Sequence, residues 1–193
     1  MTALFDDAVS VLSGWTATSP EAEAARRRTL ELLSAGPVAM TRAHRPGHVT
    51  ASALVVGADG RVLLCLHGRI RKWMQLGGHC ERGDPSLAEA ALREATEESG
   101  ITGLELDPDP IDVDVHAVRC GAADGRPAEP SVHHDVRFLI HCPAGAVARI
   151  SDESSALDWF HLDALPSPLA SATARQLAPA LGRLRRRRAT NQT

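Results

Sequence analysis

The sequence contains no tyrosine, and aromatic residues make up only 3% of its 193 positions. Proteins that read single-stranded nucleic acid by stacking bases on aromatic side chains need more than this. Lysine is nearly absent. Lys72 stands alone among 21 basic residues, and the formal net charge is -3. Bulk charge therefore argues for neither a nucleic acid nor an anionic membrane as partner. There is no uninterrupted apolar run of about 18 residues, the minimum for a membrane-spanning helix. Cysteines stand at 65, 80, 120 and 142, and none falls in a C-x-x-C spacing. That argues against a zinc knuckle or a dithiol redox site. The chain is also too long and too poor in cysteine for a secreted disulfide scaffold. Asp6 and Asp7 occupy the place where a signal peptide would carry positive charge. A reducing cytoplasm is the expected compartment.

What is present is ordinary for a globular protein: 44% hydrophobic and 23% charged residues. The length suits one domain with a terminal extension, and it suffices to bury a core without staples. Residues 3–14 and 21–35 read as helices, the second opening at Ser19-Pro20. Gly36-Pro37 stops it. From His48 the texture changes. Residues 49–56 and 61–67 are short apolar runs around Gly57-Ala58-Asp59-Gly60, which reads as a hairpin. Trp73 to Leu76 reads as a short strand running into Gly77-Gly78. Residues 86–99 read as helix, and 111–118 as a half-buried alternating strand. Residues 132–140 and 156–162 are further strands, with 103–110 and 121–130 as loops between elements. Residues 169–188 read as a helix that Pro179 kinks or breaks. The order of elements predicts an α/β fold with helices packed on a mixed sheet.

Residues 77–101, GGHCERGDPSLAEAALREATEESGI, carry the chemistry. Ser86-x-x-Glu89 fits a capping box, with Asp84 before Pro85 as a rival cap. Gly100 closes the helix. Ala88, Ala91, Leu92, Ala95 and Ser99 form a stripe of mostly small residues able to press on a sheet. Glu94, Glu97 and Glu98 share the other side at i, i+3 and i+4, where like charges repel. A hard divalent cation would offset that repulsion. So would a solvated acidic face with Arg93 nearby. The preceding Gly77-Gly78 permits close backbone approach and offers carbonyl oxygens, while Glu81 and Asp84 add two acids.

This segment resembles the Nudix signature G-x5-E-x7-R-E-U-x-E-E-x-G-U, in which U is a bulky apolar residue. The matching positions are Gly78, Asp84, Arg93, Glu94, Ala95, Glu97, Glu98, Gly100 and Ile101. Asp84 stands where the family has Glu, one extra residue precedes Arg93, and Ala95 is small for its position. In the family that acid pairs with the arginine, and these departures weigh against the pairing here. The resemblance implies a Nudix-like α/β/α sandwich with a mixed central sheet over residues 48–168. Residues 1–47 would form a helical N-terminal extension, and 169–193 a C-terminal helix and basic tail.

The resemblance also implies a magnesium-dependent pyrophosphohydrolase, with manganese as a substitute, acting on a small-molecule nucleoside diphosphate derivative. Glu97 and Glu98 would be metal ligands, joined by the Gly77 carbonyl. Glu94 would be general base or further ligand, and Arg93 would orient the carboxylates. Glu81 would join a second metal, and Glu153 would be a ligand outside the signature. His133, Asp135 and Arg137 share one strand face. That face either lines the cleft, with Asp135 near metal and Arg137 on a phosphate, or is solvated. His79 stands in the signature loop as a substrate contact or a solvated histidine. Cys65 and Trp73 read as core or packing residues, and Cys80 as a thiol in the active loop. The run Arg185 to Arg188 reads as a helix end or a tail. A homodimer is left open. Two rival readings use the same scaffold: a silent nucleotide-binding module, and a prenyl diphosphate isomerase needing a catalytic cysteine and acid.

Overall fold

The computed structural model describes residues 2–120, 128–150 and 154–190. Helices α1 (Thr2–Gly14) and α2 (Pro20–Leu33) come first, followed by a 3-10 turn at Pro37–Met40. Ser19 caps α2 by accepting from the Ala22 amide at 3.1 Å, with Pro20 as the first helical residue. The sheet then builds from β1 (His48–Val56), β2 (Val62–His67), β3 (Trp73–Met74) and β4 (Leu76–His79). Helix α3 (Leu87–Ser99) follows, then β5 (Glu105–Leu106), β6 (Asp112–Cys120), β7 (Glu129–His141) and β8 (Ser154–Phe160). Helix α4 (Ser171–Thr190) is last.

The sheet is mixed. β1 runs parallel to β7 and antiparallel to β2 and β4, while β6 lies antiparallel on the other side of β7. Every residue of β1 is buried, so helices must cover both faces of the sheet. On one face Val49, Ala51, Ala53, Val55, Val136, Phe138 and Ile140 pack in one cluster with residues of α1, α2 and α3. The alternate residues Leu54, Val56, Val62, Leu64 and Leu139 pack on the other face with Leu177, Ala180 and Leu184 of α4. This is the mixed sheet with packed helices that the order of elements predicts, and the α/β/α sandwich with N-terminal helices that the resemblance implies. Among the described residues, no helix is long and apolar enough to cross a membrane.

Four local expectations are corrected. The strand expected over Trp73 to Leu76 is split: β3 pairs with β2, whereas β4 pairs with β1. Gly77-Gly78 is part of β4 rather than a loop. Gly77 has φ +146°, and a Cβ on it would lie 2.3 Å from the Ser52 Cβ, so β1 and β4 meet only because that side chain is missing. The 103–110 loop holds the short strand β5. Of the kink or break expected at Pro179, the break does not occur, and helix α4 continues through it.

Alternation along β7 assigns Asp135 and Arg137 to the α4 face, but that face is not solvated. Arg137 is fully buried, and its guanidinium donates to Asp135, Asp112 and Asp114 at 2.8, 2.9 and 3.0 Å. It also donates to the Ala172 carbonyl of α4, and Arg175 of α4 closes on Asp114. Burial acts to raise both partner acids on β6. It prevails at Asp112, whereas the hydrogen bond from His116 and the two arginines hold Asp114 well below the usual carboxylate range. Gln75 accepts from Thr173 at 2.6 Å and Gln176 at 2.9 Å, completing the seam between sheet and α4.

The N-terminal helices are fastened equally firmly. Trp15 donates to the Pro110 carbonyl at 2.8 Å, and Thr29 lies 3.0 Å from His134 Nδ1. Asp7 of α1 accepts from the Leu87 amide at 2.8 Å, which satisfies an open donor in the first turn of α3. Two predictions follow from these ties. Asp7→Ala is expected to lower unfolding free energy by about 1 kcal/mol in urea titration, the scale of a lost helix cap. Arg137→Leu takes the shared cation from Asp112, Asp114 and Asp135, leaving only Asp114 with a second arginine, and is expected to cost about 3–5 kcal/mol in the same measurement.

Candidate active site

Helix α3 places its apolar side on β1 and β4, with Leu87, Ala90, Ala91, Ala95 and Ser99 buried. Ser86 is its N-cap, accepting from the Glu89 amide at 3.1 Å, so Ser86 and not Asp84 caps the helix. Gly100 closes it in the left-handed conformation at φ +63°. Ala88 and Leu92 of the expected stripe are partly buried, and Ala90 joins it.

With that stripe on the sheet, the acidic side of α3 faces β4 and the loop after it. A Cβ on Gly78 would sit 2.7 Å from the Glu94 carboxylate, so the bare glycine backbone forms a cradle for that group. The Gly77 amide donates to Glu98 Oε2 at 2.8 Å. Arg93 lies between the strand end, the loop and the helix. It donates to Asp84 through Nε at 2.9 Å and Nη2 at 3.1 Å. Its Nη1 reaches Glu94 and Glu97, each at 3.0 Å, and its Nη2 reaches the His79 carbonyl at 2.9 Å. The pairing that the altered acid and spacing weigh against is therefore made, and made bidentately. The extra residue lets the shorter Asp84 turn back, and its other contact is the Glu81 amide at 2.7 Å. Asp84 is buried, and the hydrogen bonds to it, opposed by burial, push the Arg93 pKa above its ordinary value.

The other expected site residues are placed unevenly. Glu94 and Glu98 are half-buried beside Gly78 and Gly77, whereas Glu97 and Glu81 are exposed. Glu153 lies outside the described residues. Arg137 meets carboxylates instead of a phosphate, because α4 and β6 enclose it completely. Asp135 is buried beneath the same seam and accepts from Thr50 at 3.1 Å and Ser52 at 2.8 Å. His79 and His133 are not solvated but face each other in a cluster with His48, their ring centroids 4.9–5.1 Å apart.

Cys65 is a core residue, with its thiol pushed up to about 12 by burial. Cys80 is buried as well, and burial pushes its thiol up too, so neither offers the thiolate an isomerase would need. Trp73 packs edge-on against Phe160 at 4.8 Å, as a packing residue.

A mixed sheet between helix layers, with an arginine-centred acidic helix against a glycine cradle, defines a Nudix-type pyrophosphohydrolase. The chain belongs to the Nudix family, whose NUDIX domain model matches residues 46–181. It is 32% identical to a MutT NUDIX hydrolase from Burkholderia pseudomallei, over 68% of this chain and 95% of that one, with a TM-score of 0.48. A NUDIX-family hydrolase from Clostridium perfringens has 24% identity and a TM-score of 0.52, over 72% of this chain and 98% of that one. The NUDIX domain of Shewanella oneidensis NrtR, solved with ADP ribose, has 21% identity and a TM-score of 0.52, over 74% and 92%. No curated protein matches the chain.

The cradle makes a direct prediction. Gly78→Ala pushes the Glu94 carboxylate off its position while leaving the sheet in place. Turnover is expected to fall about 100-fold, the cost of roughly 1 Å of misplacement, with unchanged circular dichroism.

Proposed function

We propose that this protein hydrolyses a diphosphate linkage in a small nucleoside diphosphate derivative, by attack of water on phosphorus, with magnesium or manganese as cofactor. The observation that carries the reading is the Arg93 hub. It gathers Asp84, Glu94, Glu97 and the His79 carbonyl into one rigid group beside Gly77 and Gly78. Its carboxylates form a hard oxygen donor set suited to a hard divalent cation. The space at Gly78 that a Cβ would fill lets Glu94 lie against the strand. The residues present thus fit such an ion.

In this reading Glu97 and Glu98 hold the metal with the Gly77 carbonyl, and Glu81 extends the site toward a second ion. When bound, the metal polarises phosphoryl oxygens and lowers the pKa of a coordinated water. Glu94 accepts the proton of the attacking water. The water oxygen bonds to phosphorus as the bond to the bridging oxygen breaks, and the departing phosphate carries that oxygen away. Arg93 stays on its carboxylates throughout, fixing their spacing without touching the substrate. Buried Asp135 and Arg137 hold β1, β6 and β7 in register beneath the site. The attached group of the substrate is selected outside the signature, by the loops after α3 and β6 and by the N-terminal extension. Four buried thiols suit a reducing cytoplasm.

The test is a magnesium-dependent assay of phosphate release. Its panel holds nucleoside triphosphates, nucleotide sugars, ADP-ribose, dinucleoside polyphosphates and NADH, with phosphatase added for monoester products. Metal-dependent release from at least one compound is expected. Glu97→Gln and Glu98→Gln are each expected to lower it by about 100-fold or more with an unchanged melting temperature, the scale of losing transition-state charge stabilisation. Wild-type turnover in both variants, or nucleotide binding without product at any metal concentration, would overturn the proposal.

A further inference from the structure

A second constellation lies at one end of the sheet, on the α4 face. His48 begins β1, His79 ends β4, Cys120 ends β6 and His133 lies in β7. The register brings them together. His48 pairs with His133, His79 pairs with Thr50 two residues along β1, and β6 runs alongside β7 to Cys120. One donor atom from each of the four lies within 4.8 Å of all the others. Cys120 Sγ is 3.3 Å from His79 Nε2 and 4.0 Å from His48 Nε2.

Two of the imidazoles, His48 and His133, each carry a buried nitrogen that no protein contact satisfies. His48 is 0% exposed and turns Nε2 toward Cys120, with Nδ1 on the far side of the ring, and the buried Nε2 of His133 makes no hydrogen bond. The His44 backbone lies near enough to act on the His48 ring without meeting hydrogen-bond geometry. Buried polar atoms without partners are rare in native proteins, and an ion is one of the few things that explains them. Burial also disfavours the charged form of the three imidazoles. Neutral imidazole is the form that binds metal.

We propose that His48, His79, Cys120 and His133 form a closed tetrahedral site for zinc or a similar borderline transition-metal ion, separate from the carboxylates of α3. Three imidazoles and one thiolate suit zinc and not magnesium, which takes oxygen ligands. Zinc bond lengths imply ligand separations of roughly 3.3–3.8 Å. The widest pair therefore closes by roughly 1 Å, within the reach of side-chain rotation. Binding removes the Cys120 proton to solvent and bonds the resulting thiolate to the ion.

Arg42 is the opposing charge. Its Nη2 lies 3.3 Å from His79 Nδ1, and with Nε2 on the metal that nitrogen carries a proton. Arg42 is exposed, so metal binding would turn it away into solvent. The site would also reach the reaction centre. His79 would hold zinc by its side chain while its carbonyl receives Arg93. His79 and His133 would then serve the site as metal ligands and not as substrate contacts.

The site does not depend on the hydrolase reading, and its test reads metal directly. Full-length protein is stripped with chelator under reducing conditions and titrated with cobalt(II). One equivalent is expected to give intense tetrahedral visible bands and a near-ultraviolet thiolate-to-cobalt charge-transfer band. Zinc should displace both signals, and excess magnesium should displace neither. Cys120→Ser is expected to abolish the charge-transfer band and weaken zinc binding more than about 100-fold, beyond the loss of an outer-shell partner. His79→Gln, at a less buried position, should lose the tetrahedral bands and guards against misfolding of the cysteine variant. Glu97→Gln should leave the spectrum intact. A weak octahedral spectrum, a signal unaffected by Cys120→Ser and His79→Gln, or one abolished by Glu97→Gln would overturn the proposal.

Discussion

The geometry of the reaction centre depends on one guanidinium. Arg93 is half-buried in α3 and spends its donors on the loop acid Asp84, the helix acids Glu94 and Glu97, and the strand-end carbonyl of His79. Strand end, loop and helix are thereby tied to one group, in addition to the Gly77 bond to Glu98. The arrangement solves an electrostatic problem as well. Three glutamates on one helix side repel, and a cation placed between them lets the helix form before any metal arrives. The bidentate grip on Asp84 also explains how an altered spacing is tolerated. A shorter acid one residue further away reaches the same fork because the loop folds back on the Glu81 amide.

The second constraint is that β1 is covered on both sides. One face is apolar throughout and packs on three helices. The other is apolar only at one end, where α4 lies on Leu54, Val56 and Leu139. Beyond that end the same face carries Ser52, Asp135, Arg137, Gln75 and then the imidazoles. Over this stretch α4 brings Thr173 and Gln176 to Gln75 and Arg175 to Asp114. Buried charge of this kind adds little net stability over an apolar core but is costly to break. It fixes how α4 sits on the sheet, where a purely apolar face would tolerate sliding.

Much of this was legible in the sequence, and the failures have physical reasons. Helix α3, its Ser86 cap, its Gly100 stop and the gathered carboxylates follow from local spacing alone. So do the hairpin around Gly57 and Gly60 and the two faces of β7. The fate of those faces did not follow. Alternation says that Asp135 and Arg137 point the same way, but not that a helix some 35 residues later covers them. Gly77-Gly78 looked like a loop because its reason for being extended is Ser52 on another strand. The imidazole and thiol cluster was invisible, since its members come singly from four strands and match no spacing rule. Their burial and the register of β1 with β7 were the missing information.

The ties from both ends of the chain have a consequence for biosynthesis. The Asp7 contact to Leu87 spans 80 positions, and the Gln75 contacts to Thr173 and Gln176 span 98 and 101. The first helix therefore leaves the ribosome long before its partner exists, and the sheet emerges with the face that α4 will cover still open. Such distant closures slow folding and prolong the life of partly formed states. Before α4 exists, that face shows water two different stretches: aspartate, arginine, serine and glutamine side chains, which water solvates, and the apolar patch of Leu54, Val56, Val62, Leu64 and Leu139, which it does not. A nascent chain paused before α4 would carry that apolar patch bare.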